Sequence, residues 1–247
     1  MILLIDVGNS NIVFALANED IIETYRYKTI KNKTEDELYL LYKPMFDLYK
    51  IEDVIISSVV PKLTSSFVKM FFKYYGIKIK ILGPGLKSGI SLKVDDPKTV
   101  GADLICDCAG AMKYEKEAII VDLGTATKYI YCKNNVFYGC AIAPGVSVSL
   151  NALVSNADLL HSIEFQAPKK VLGTNTTTSM LSGIIISSAS AVDGMIDRIK
   201  EEIKNNDVKV FATGGLSSVI IPAAKNQITC IPNLTLIGLL EIYKRNI

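Results

Sequence analysis

A single histidine, His161, stands in 247 residues, and neither a GxxxxGK(S/T) nor a GxGxxG fingerprint occurs. No Ser-His-Asp or Cys-His arrangement can be argued from one histidine, and His161 reads as a surface or partly packed residue. The missing glycine fingerprints argue against the P-loop and dinucleotide-binding folds. CxxC pairs are lacking too. The five cysteines are Cys106, Cys108, Cys132, Cys140 and Cys230, and without paired cysteines or nearby histidines they do not form a zinc site. Their odd number, with no charged leader ahead of the first strand, predicts reduced structural thiols in a cytoplasm.

Charge of one sign is nowhere concentrated. The formal net charge is +2, and the stretches from Lys28 to Lys33 and from Arg198 to Lys204 are interrupted by acidic, polar or apolar residues. That argues against a nucleic-acid partner, which selects for a basic face. The most apolar helical stretch, Met180 to Ile196, carries Asp193 and four serines. It predicts a buried core helix and no membrane span.

What is present is a duplication. Asp6-Val7-Gly8-Asn9-Ser10-Asn11 near the start is echoed by Asp122-Leu123-Gly124-Thr125-Ala126-Thr127 midway along the chain. Each follows an apolar run, Ile2-Leu3-Leu4-Ile5 or Ala118-Ile119-Ile120-Val121, and each precedes a second strand-like stretch. Asp-x-Gly alone is a common turn, but two copies in matched settings predict paired phosphate hairpins. Glycine permits the sharp turn and close approach, and successive N–H groups form a concave anion site. A carboxylate at the strand end can hold a hydrated cation beside phosphates. Two half-domains gripping one nucleotide follow as the expectation.

Strands are predicted at 2–6, 11–17 and about 20–28, then a helix from Thr34 to Tyr49 opened by the capping box Thr34-Glu35-Asp36-Glu37. A strand over Asp53 to Ser58, a helix from Pro61 to Tyr75 and a strand over Ile77 to Leu82 complete the first half. Strands at 117–122, 126–133 and 136–142 open the second, followed by helices over Pro144 to Leu160 and Thr176 to Lys204. A strand over Val208 to Ala212, a short helix, a strand near 227–231 and a closing helix from Asn233 end it. The order predicts an α/β chain of mixed five-stranded sheets with helices on both faces. The expected domains are 1–115 and 116–247, joined near Tyr114–Glu117.

The ordered motifs resemble type III pantothenate kinases, of the acetate kinase, sugar kinase, heat-shock protein 70 and actin superfamily. They run from Asp6-Val7-Gly8-Asn9-Ser10 through Ser57-Ser58-Val59-Val60-Pro61, Val100-Gly101-Ala102-Asp103 and Asp122-Leu123-Gly124-Thr125-Ala126-Thr127. Ala141-Ile142-Ala143-Pro144-Gly145, Gly173-Thr174-Asn175-Thr176, Ser182-Gly183 and Thr213-Gly214-Gly215 continue the series. The resemblance implies duplicated ribonuclease H-like (actin-like ATPase) domains, a homodimer, and ATP-dependent phosphorylation of pantothenate towards coenzyme A. It implies ATP contacts over Asp6, Val7, Gly8, Asn9, Ser10, Asn11, Ile12 and Val13, with a second phosphate contact at Thr125. A monovalent cation, potassium or ammonium, is implied at Asp122. Substrate contacts are implied at Gly101, Ala102, Asp103, Leu104 and Thr176.

In such a kinase Asp6 holds Mg²⁺ through water, because Mg²⁺ dehydrates reluctantly. Thr125 and Thr127 are expected to donate to phosphate. Asp103, near a helix start after the loop Val94-Asp95-Asp96-Pro97, is the expected base for the acceptor hydroxyl, although the same place suits a carboxylate favoured by the helix dipole. Three positions depart from the family pattern. Leu104 follows the aspartate where an arginine is usual, so another cation such as Lys98 or Lys93, or one from a dimer partner, must meet the carboxylate of pantothenate. Val94 replaces a substrate-contacting tyrosine. Lys128 stands where a threonine is common, either neutralising phosphate charge and weakening the need for potassium or pointing to solvent. A same-fold kinase with a changed small-molecule acceptor, or a non-catalytic nucleotide-binding regulator, are the alternatives.

Overall fold

In the computed structural model, which describes residues 1–157, 160 and 163–247, the uninterrupted apolar runs become central strands. β1 (Ile2–Val7) pairs antiparallel with β2 (Asn11–Ala17) and parallel with β4 (Asp53–Ser58). β3 (Ile21–Lys28) and the short β5 (Lys80–Ile81) extend the order to β3-β2-β1-β4-β5. Strands flanked on both sides must bury both faces, and Leu3, Leu4 and Ile5 are fully buried. The strand expected over Ile77 to Leu82 is reduced to β5, an edge strand that touches only Ile55 and Ile56 of β4.

Helix α1 (Glu35–Phe46) opens with the expected capping box, Thr34 accepting from the Glu37 amide while Glu37 accepts from that of Thr34. It stops short of Tyr49 because Pro44 sits in its last turn and Asp47 caps it. Helix α2 (Pro61–Tyr75) starts on Pro61 and ends at Gly76, whose φ of 66° is the left-handed geometry glycine favours. Between these helices and the sheet, Phe14 packs edge-on against Tyr42, Phe46 and Phe67. Fully buried aromatics of this size dominate a core's energetics.

After β6 (Ser91–Leu92) and a 3-10 turn over Pro97–Thr99 comes α3 (Ala102–Ala111), which packs on the closing helix α7 (Leu234–Lys244). The contacts divide the chain into a first unit of Met1–Tyr114 plus Leu234–Ile247 and a second of Glu115–Asn233. The closing helix thus joins the first unit, whereas the order of elements in the sequence predicts it within 116–247. Gly238 is the reason it fits: a Cβ there would lie 1.8 Å from the Cys106 carbonyl, so only glycine lets the helices cross so closely. Thr235 donates to Asp107 at 2.6 Å, Tyr243 to Asp53 at 2.9 Å, and Asn246 exchanges two hydrogen bonds with the backbone of Lys87.

The second unit repeats the sheet. β7 (Glu117–Leu123), β8 (Ala126–Lys133), β9 (Val136–Pro144), β10 (Lys209–Thr213) and β11 (Thr229–Cys230) line up as β9-β8-β7-β10-β11. The two meander strands are antiparallel and the following two parallel, as in the first unit. Helix α4 (Val146–Ser155) begins after Gly145, leaving Pro144 in β9, and is shorter than the expected Pro144-to-Leu160 span. His161 lies outside the described residues. Helix α5 (Thr176–Ile203) buries Met180, Leu181, Ile185, Ala189, Val192 and Ile196 at helical spacing over Ile119 and Val121. Among the described residues α5 alone has the length and apolar composition to cross a membrane, but this stripe is core. A short α6 (Ser217–Ile220) precedes β11.

Candidate active site

In the first unit β1 delivers Asp6 to a strand end, opposite Val13 on one side and Ser57 on the other. The hairpin closes where the Gly8 amide donates to the Asn11 carbonyl at 2.9 Å. Asn9 and Ser10 form its exposed tip. Val7, Ile12 and Val13 are core residues whose burial fixes the loop, so their side chains do not reach outward. Thr29 braces it from behind, its hydroxyl donating to the Gly8 carbonyl at 2.7 Å and its amide to that of Ser10 at 2.9 Å. Nothing in the sequence marks Thr29, since its role exists only once β3 has brought it back.

Asp103 sits in the first turn of α3 with its carboxylate folded over the helix start. Its Oδ1 accepts from the Leu104 amide at 3.0 Å, and a Cβ on Gly101 would lie 2.4 Å from that oxygen. Gly101 is therefore needed for the close approach, and the helix N-terminus favours the negative charge. Leu104 is 6% exposed and belongs to the interior, so its side chain offers nothing to a substrate. Burial pushes the Cys106 thiol well up, with the carboxylates of Asp6, Asp107 and Asp103 adding to the shift and the Ser57 hydroxyl opposing it. Lys93 and Lys98 are exposed nearby in sequence, with Asp96 accepting from the Lys98 amide at 3.0 Å.

In the second unit the matching hairpin is tighter. The Gly124 amide donates to the Ala126 carbonyl at 3.1 Å, and Thr125 is exposed at the tip. Thr127, the other expected phosphate donor, is 5% exposed. Asp122 is flanked by Thr213 on β10 and by Lys128 on β8. The Lys128 ammonium meets the Asp122 carboxylate at 2.6 Å, so Lys128 does not simply point to solvent. Gly214, at φ 92°, lies against this carboxylate; a Cβ there would be 2.7 Å from Asp122 Oδ1. Thr176 is the exposed first residue of α5, behind an Asn175 cap that accepts from the Thr178 amide at 2.9 Å.

The sequence profile of the family described as type III pantothenate kinase matches residues 2–198. The chain is similar to the type III pantothenate kinase of Acholeplasma laidlawii, at 43% identity over 248 residues and 100% of both chains. It is similar to that of Citrifermentans bemidjiense at 42% identity over 254 residues, again 100% of both. Among solved structures, a putative sugar kinase from Cytophaga hutchinsonii has a TM-score of 0.53 at 15% identity, with 99% of each chain covered. That last likeness bears on the fold alone.

Proposed function

The chain belongs to the type III pantothenate kinase family, and from that premise we propose how its own residues divide the work. The reaction moves the terminal phosphoryl group of ATP to the hydroxyl of pantothenate, on the route to coenzyme A. Phosphoryl transfer asks a protein mainly for positioning and charge neutralisation. In our reading the hairpin from Asp6 to Val13 receives the phosphates through its exposed tip, Asn9 and Ser10, and the half-buried Asn11, while Val7, Ile12 and Val13 hold the loop from inside. Thr125 supplies a second phosphate contact.

Asp103 is the proposed base, accepting the proton of the attacking hydroxyl and aligning it. What supports these roles is the placement of each carboxylate: Asp6 at the end of β1, opposite Ser57 of β4, and Asp103 in the first turn of α3, its Oδ1 accepting from the Leu104 amide at 3.0 Å. Asp6, half-buried at the end of β1, fits an outer-sphere partner for the Mg²⁺ that accompanies ATP. Bound there, Mg²⁺ neutralises charge on the phosphate oxygens. The Gly101-to-Asp103 segment and Thr176 are the proposed pantothenate contacts. With Leu104 buried, the pantothenate carboxylate is left to Lys98 or Lys93 or to a residue of a second copy.

The same burial of Leu104 favours a second reading, a kinase of this family whose acceptor has shifted. Mass spectrometry of products from ATP with pantothenate, and with a panel of small hydroxy acids, separates the two. Phosphopantothenate as the dominant product supports the first, and preferential phosphorylation of another acceptor replaces it. We further propose a cytoplasmic homodimer acting without nucleic acid or membrane. The dispersed basic charge and the core stripe of α5 support this, and sedimentation tests the dimer. The resemblance also implies potassium or ammonium at Asp122, the carboxylate at which the Lys128 ammonium stands.

A further inference from the structure

A monovalent cation at Asp122 requires that carboxylate to present oxygen to an ion, and the residues around it do not fit that demand. Asp122 and Lys128 are direct partners across the antiparallel β7–β8 pair, so their side chains share one face of the sheet. Lys128 Nζ is 2.6 Å from Asp122 Oδ2, and each side chain is only 12% exposed. Pairs so sheltered are weakly screened by salt, unlike exposed ones. Two glycines lie close to the carboxylate: added Cβ atoms would stand 2.7 Å from Oδ1 at Gly214, and 3.5 Å from Oδ1 and 3.7 Å from Oδ2 at Gly124. In the first hairpin the residue facing Asp6 is Val13, so the cation belongs to the second hairpin alone.

We propose that the Lys128 ammonium is a tethered monovalent cation, and that this kinase runs without potassium or ammonium. An alkylammonium carries the same unit charge as the ammonium ion and donates hydrogen bonds from a comparable head. Held on Asp122 beside the second hairpin, it cancels a carboxylate that otherwise repels incoming phosphate. The tether also removes the translational cost of recruiting a free ion at each binding event. This inference rests on the kinase reading above.

Turnover of ATP and pantothenate is measured with potassium and ammonium replaced by tetramethylammonium, then with potassium restored, for the wild type, Lys128→Thr and Lys128→Met. Melting temperatures with ATP and Mg²⁺ are recorded in the same buffers. The wild type is expected to hold its turnover within about twofold in both buffers. Lys128→Thr is expected to lose at least about tenfold without potassium and to recover with it, because Asp122 is left uncompensated. Potassium should raise the melting temperature of Lys128→Thr and leave that of the wild type unchanged. Lys128→Met keeps the stem and fills the site, so its loss should not be rescued. Potassium stimulation of the wild type by tenfold or so overturns the proposal, and so does a Lys128→Thr enzyme that ignores potassium. If the wild type fails to phosphorylate any acceptor, the kinase reading fails instead, and the melting shifts still report on the cation.

Discussion

The Gly145 amide donates to the Thr125 carbonyl at 3.1 Å, fastening the β9–α4 corner onto the tip of the second hairpin. A Cβ on Gly145 would stand 2.3 Å from that carbonyl and 2.5 Å from the Gly124 carbonyl, both backbone atoms that cannot swing aside. Gly145→Ala must therefore displace the loop that carries Thr125. We expect KM for ATP to rise by roughly tenfold, in line with loss of about one charge-assisted hydrogen bond, with a smaller change in KM for pantothenate. Steady-state kinetics in both substrates check this, and an unchanged KM for ATP removes the hairpin from the nucleotide site.

Glu117, at the start of β7, accepts from the Tyr131 hydroxyl at 2.7 Å. That bond, helped by Lys133 and Asn205, holds its carboxyl below the ordinary value. A lowered carboxyl contributes stability that is present above its unfolded pKa and lost as pH falls through the lowered folded one. Tyr131→Phe should thus destabilise the protein near neutral pH, by about 1–2 kcal/mol for a hydrogen bond to a charged group. The difference should shrink as pH drops below about 4. Urea melts at two pH values measure it, and a pH-independent difference contradicts the assignment.

Cys106, Cys108 and Cys132 are buried, whereas Cys140 and Cys230 are exposed. Burial also pushes the Cys106 thiol up, away from the reactive thiolate. Brief alkylation of the native protein, followed by peptide mass spectrometry, should label Cys140 and Cys230 and spare the other three. Rapid labelling of Cys106 shows that the α3–α7 packing opens readily.

The duplication was legible because each half repeats the same local grammar: an apolar run ending in Asp, a glycine two residues on, then a second strand. Parallel central strands read as continuous apolar runs, and Thr34, Pro61 and Gly76 announce helix ends by their own chemistry. The order of elements puts the closing helix in the second domain, 116–247, whereas its contacts put it with the first unit. Seven of its residues, Leu234 to Tyr243, are buried, and an apolar segment does not say which partner buries it. The close crossing at Gly238 and the hydrogen bonds of Thr235 to Asp107 and Tyr243 to Asp53 decide that. Thr127 and Lys128 show the same limit: alternation along β8 sets opposite faces, but which face meets the core emerges from tertiary packing. Thr29 carries no local signal at all.

Asp103 is proposed to take the proton of the acceptor hydroxyl, and the Asp103→Asn variant puts that role to the test. The amide keeps the shape and the fold over Gly101 but cannot accept that proton. Turnover with ATP, Mg²⁺ and pantothenate should fall by about 10²–10⁴-fold, the range for loss of a general base. Nucleotide binding, read by melting-temperature shift, should be retained. Turnover within a few-fold of the wild type would contradict the account and leave Asp103 as a carboxylate that merely stabilises the start of α3.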